Sequence, residues 1–158
     1  MTAHAVTRTP DAMNDKTTTF ARYVPTVARI LLGLGFLASG VSGLLMAAGV
    51  FPMPQPARPP PENAMAFMMG LMKSGYLFPL IKGTETVGGA LLVANRFVPL
   101  ALAILAPVLV NILAFHAFLG PSGIVPGLVL FLLEVYVAWS YRDAFRPMLA
   151  SRAKASAP

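Results

Sequence analysis

Residues 81–96 read IKGTETVGGALLVANR, from Ile81 to Arg96. The stretch places a lysine and a glutamate, Lys82 and Glu85, in a segment otherwise suited to a lipid bilayer. Three positions apart on a helix, they share one face. Gly88 and Gly89 follow, then an apolar run, then Asn95-Arg96 as a stop. An ionisable side chain inside a membrane is costly, so by default it marks a functional site. The alternative is that Lys82 and Glu85 neutralise each other and hold helices together. For Lys82 the packing reading has the stronger case; for Glu85 the two are balanced.

Working outward, the whole chain has the same character. It holds 158 residues, of which 11% are charged, against about 25% in an ordinary soluble domain. Mean hydropathy is +0.69, and the apolar residues come in blocks long enough to cross a bilayer. The net charge of +6 lies just outside those blocks, where positive-inside topology places it, so no nucleic-acid partner is expected. Cysteine is absent, which removes disulfides, thiolate nucleophiles, Cys-ligated zinc and iron–sulfur clusters from this chain's own chemistry. With only two histidines, His4 and His116, no haem held between two histidines and no metal site is expected. No phosphate loop, dinucleotide loop or catalytic triad pattern is present, and no catalytic residue is assigned.

The pattern predicts an all-α membrane four-helix bundle with a short interfacial helix in its first outer loop. Residues 1–22 are polar and read as a disordered tail. The membrane domain covers 25–141, with spans at about 25–48, 76–94, 97–118 and 124–141. Residues 142–158 form a basic tail. In the first span Gly33, Gly35, Gly40 and Gly43 recur near helical spacing beside Ser39 and Ser42; small residues let helices approach closely in lipid. Gly33, Gly40, Gly88 and Gly89 are the expected packing glycines. Arg29 is expected to snorkel to the headgroups.

FPMPQPARPPP, Phe51 to Pro61, cannot be helical and reads as an extended, solvated loop. Glu62 to Ser74 is too short to span and reads as a surface helix; its methionines are expected to fill gaps in the packing. Pro107 is expected to kink the third span. Trp139 and Tyr141 fall at an aromatic belt. Nine of the twelve Lys and Arg residues lie in the N-terminal part, the Asn95-Arg96 turn and the C-terminal tail. Both termini are therefore expected on the cytoplasmic side.

With that topology, a rise of about 1.5 Å per residue puts Lys82 roughly 9 Å below the outer face, Asn111 roughly 10 Å, Glu85 roughly 13 Å, Glu134 roughly 15 Å and His116 about 3 Å. These five side chains are expected to form one inward-facing polar layer. One lysine serves two glutamates, so one glutamate is expected to be protonated. Such a layer suits a proton relay or hydrogen bonding to a quinone, or else it only specifies packing.

The pattern of Arg29 followed by LLGLGFLASG, Phe67, the SGY turn, Glu85-Thr-Val-Gly88-Gly89-Ala-Leu-Leu and Arg96-Phe97 resembles the DoxX family of small bacterial inner-membrane proteins. The resemblance covers about Arg29 to Arg146, and the NILAFHAFLGPSG stretch with His116 is similar to one branch. It implies a four-helix bundle of the bacterial inner membrane, linked to quinone or to thiol and oxidant-stress systems. The expected role is a non-catalytic or accessory subunit. The expected partners are the lipid bilayer, a membrane or soluble oxidoreductase, and further copies of the chain. No bound cofactor is expected, a quinone being the one ligand the resemblance implies. Without cysteine, thiol chemistry belongs to a partner. The rivals are a small proton-coupled transporter using Glu85 and Glu134, and a structural scaffold.

Overall fold

A computed structural model describes residues 11–52 and 59–149. Among them the regular structure is all-helical. The helices are α1 (Asp11–Ala47), α2 (Glu62–Lys73), α3 (Leu77–Val93), α4 (Val98–Phe118), α5 (Ile124–Ser140) and α6 (Arg142–Phe145), with short 3-10 turns at Pro121–Gly123 and Arg146–Leu149. α1 packs on α3, α3 on α4, α4 on α5, and α5 back on α1.

Three segments are long and apolar enough to cross a membrane: Arg22–Ala47, Val98–Phe118 and Pro121–Ser140. α3 has 17 residues and reaches only about 26 Å, short of a hydrocarbon core of roughly 30 Å. It makes a fourth span only together with α2, from which it is bent by 87°. Gly75, at φ +75°, makes that bend; glycine adopts this left-handed conformation without a Cβ penalty. The Ser74 hydroxyl braces it, donating to the Leu71 carbonyl at 2.6 Å and accepting from the Leu77 amide at 3.0 Å.

Leu32 and Phe36 of α1, Leu92 of α3, Leu105 and Leu109 of α4 and Val137 of α5 meet in a core from which solvent is excluded. The outer surface is no less apolar: Leu31, Leu100, Val110, Val129, Leu132 and Val135 are all at least half exposed. A water-soluble monomer rarely presents so continuous an apolar surface, and in lipid it needs no cover. Association there rests on close packing, because lipid chains are as apolar as the side chains.

Three expectations are corrected. The first helix does not begin at Pro25 after a disordered tail to Arg22; it starts at Asp11 and runs through Pro25. A proline removes one backbone hydrogen bond without having to end a helix, and residues 11–24 contain no glycine or other proline to stop it. Residues 1–10 and 150–158 lie outside the described residues.

Arg29, moreover, does not snorkel. It is 5% exposed and donates to the carbonyl of Leu92, with that of Val93 at 3.5 Å. The Leu92 carbonyl already accepts from the Asn95 amide at 3.2 Å, and the end of α3 carries partial negative charge. A buried guanidinium from α1 supplies both donor and countercharge.

The methionines of α2 do not fill core gaps. Met65, Met68, Met69 and Met72 are 36–47% exposed, whereas Ala64 is buried. Of the proline loop, Pro59 to Pro61 are non-helical and 53–58 lie outside the described residues.

Candidate functional site

The Lys82 ammonium donates to both oxygens of Glu85, at 3.0 and 2.9 Å, and to the Ser39 hydroxyl of α1 at 3.1 Å. Glu85 is 1% exposed and the Lys82 side chain 18%. The ammonium also stands 5.9 Å from the centroid of the Phe78 ring, a cation–π arrangement. Charge, donors and acceptors thus match at one point, which is the condition for keeping an ion pair away from water.

Glycines make room for the pair. A Cβ added at Gly43 would fall on the stem of Lys82, and one at Gly40 on Thr86 and the Lys82 carbonyl. Thr86 returns its hydroxyl to that carbonyl at 2.7 Å. Gly89 lies against the α1 backbone at Gly33 and Leu37, while Gly88 faces Leu105 of α4. The adjacent glycines therefore let α3 approach two different neighbours.

The pair lines a pocket of about 200 Å³ between α2, α3 and α4. Phe67 and Leu71 of α2 cover it, and Asn111 and His116 of α4 reach it. Phe67 packs on Phe115 with ring centroids 5.5 Å apart, which ties the lid helix to α4. Asn111 is exposed, at the rim. His116 Nδ1 lies 2.7 Å from the Gly120 carbonyl. A carbonyl only accepts, so Nδ1 carries the proton and Nε2 of a neutral ring is left as an acceptor. The ring stands where a Cβ at Gly123 would be, and it also borders a wider vestibule walled by Pro59–Pro61 and the Pro121 turn.

The single polar layer expected from sequence is corrected here. Lys82, Glu85, Asn111 and His116 line one pocket, but Glu134 does not. It lines a separate cleft between α4 and α5, nearer the Asn95 end of the molecule. Depth along two helices says nothing about azimuth, and Glu134 faces a different helix pair. Among the described residues no three His, Asp or Glu side chains come together to hold a metal.

Ser39 was within reach of sequence reasoning, since Ser39, Gly40 and Gly43 share a face at helical spacing. The capping role of Arg29 was not, because no local signal links it to a carbonyl 63 positions away.

No family model, curated protein or solved structure matches the chain. The pocket's own chemistry therefore has to carry the functional reading.

Proposed function

We propose that this is a DoxX-like, four-span bundle of the bacterial inner membrane with both termini cytoplasmic, which holds a quinone head group as an accessory part of a membrane redox system. The observation that supports this reading is the pocket under α2, where an apolar, aromatic wall converges on one buried donor–acceptor pair and one histidine. Ligand sites combine those features, and larger drug-type sites run to about 300–1,000 Å³. At about 200 Å³ this one suits a single ring whose tail leaves between α2 and the bundle.

The polar groups complement a quinone. The Lys82 ammonium, whose three protons face Glu85 and Ser39, turns one of them to a ring carbonyl on binding, and Glu85 and His116 Nε2 accept from the hydroxyls of the reduced form. In this reading electrons pass between the quinone and a partner oxidoreductase, to which thiol chemistry also falls because the chain has no cysteine. This chain's part is to bind and orient the ring.

The test is equilibrium binding of a short-tailed benzoquinone to the purified full chain in nanodiscs. Saturable binding is expected, weakened about tenfold or more by Lys82→Met and by Glu85→Gln, since a hydrogen bond to a charged group is worth roughly 1.5–3 kcal/mol. Equal binding by a folded Lys82→Met/Glu85→Leu double variant would discard the proposal.

A further inference from the structure

The cleft that holds Glu134 has a chemistry of its own. It is a groove of about 210 Å³ between α4 and α5, closed at one end by Phe145 of α6. Leu102 and Ala106 of α4 and Phe131 of α5 line it, with Val110 and Val135 at its margin. Those two valines are 58% and 50% exposed, so the groove opens sideways onto the apolar outer surface rather than toward either end of the bundle. Glu134 is 6% exposed, and its Oε1 atom is buried without a hydrogen-bond partner among the described residues. A buried polar atom left unpaired is costly, and native structures rarely keep one without a reason.

We propose that this groove is a second binding site, open to the bilayer, for a small hydrophobic organic monocation. Glu134 is the one polar side chain that lines it. A carboxyl group supplies acceptor oxygens, and the two phenylalanine faces attract cations. None of the other lining side chains can donate to a phosphate or carboxylate head. An anionic amphiphile would meet a carboxyl and no cationic side chain, and a neutral apolar one would leave Oε1 unpaired. A positive nitrogen that carries an N–H, on an apolar body, satisfies the carboxyl by hydrogen bond and charge and the phenyl faces by cation–π attraction. The site shares no lining residue with the Lys82–Glu85 pocket and does not depend on the quinone reading.

The probe is radiolabelled benzyldimethylammonium, a cation whose one N–H can donate to Oε1, dialysed to equilibrium against the full chain in nanodiscs, with empty nanodiscs as the blank. Saturable binding above the blank is expected. Glu134→Gln removes the ionisable carboxyl and Ala106→Phe fills the groove while leaving the carboxyl in place; each should weaken binding at least about tenfold. Met69→Leu, on the exposed face of α2, should leave it unchanged, and excess isobutylbenzene, the uncharged isostere, should compete poorly. No binding above the blank overturns the proposal. So does cation binding that survives Glu134→Gln, survives Ala106→Phe, or is displaced equally well by the uncharged isostere. If Glu134→Gln fails to fold, the Ala106→Phe result and the isostere competition decide.

Discussion

Gly43 of α1 leaves the space that the stem of Lys82 occupies on α3. The missing side chain lets a lysine cross from one helix toward the other, so that its ammonium reaches Ser39 and Glu85 together. Gly43→Leu should therefore crowd the Lys82 stem and destabilise the protein by at least about 1–3 kcal/mol, the usual cost of overpacking, and by more if Lys82 leaves Glu85. Shortening the obstacle should help: Gly43→Ala/Lys82→Ala is expected to lose less than the sum of its single changes. Thermal unfolding in detergent measures both. Strict additivity would mean that the two residues do not compete for the space.

The Lys82–Glu85 pair can be tested in the same way. Removing one member strands the other charge, so Lys82→Met and Glu85→Leu should each cost roughly 3–5 kcal/mol. Replacing both with apolar residues should restore most of that stability. If the pocket binds a quinone, the restored double variant stays folded and still fails to bind it. Stability and binding that return together would mark the pair as purely structural.

Arg29 closes the open end of α3. Arg29→Leu leaves the Leu92 carbonyl without this donor, which should cost about 1–3 kcal/mol. The effect should be local. Hydrogen exchange should rise at residues 92–96, whose amides hold the end of α3, more than at 78–88. Uniform loss of protection would show that Arg29 supports the whole bundle instead.

Gly88 and Gly89 should respond differently to alanine. At Gly89 the obstructing atoms are backbone, at Leu37 and Gly33, and at Gly88 they are the side chain of Leu105. Gly89→Ala should push α1 and α3 apart and resist rescue. Gly88→Ala should be recovered in large part by Leu105→Ala, to within about 1 kcal/mol of the Leu105→Ala single change. Both are read by unfolding, and equal rescue at the two sites would contradict the packing.

Topology is open to direct test. The proposed topology, drawn from the lysine and arginine distribution, has both termini in the cytoplasm. A reporter at the C-terminus and one inserted within 53–58 should give opposite signals. Matching signals would require an odd number of crossings between the two points to be ruled out.

The sequence by itself determined the helical, membrane-embedded class and the approximate bounds of the elements. Apolar block length, proline clusters and the Asn95-Arg96 stop are local signals, and α3, α4 and α5 follow them to within a residue or two. It also marked Lys82 with Glu85, since three positions on one helix share a face whatever lies beside it. It misjudged where the first helix starts, because a proline inside a helix and a proline before one look alike from the chain alone. Only the tertiary structure decided which neighbour each face meets. That choice brought Ser39 to Lys82, buried Arg29 at the end of α3, and sent Glu134 to a groove apart from the other polar residues. Helical period fixes the angles between residues on one helix, but the rotation of each helix against its neighbours is set by how side chains and glycine gaps fit together. That fit is a property of pairs of helices, and no single stretch of sequence contains it.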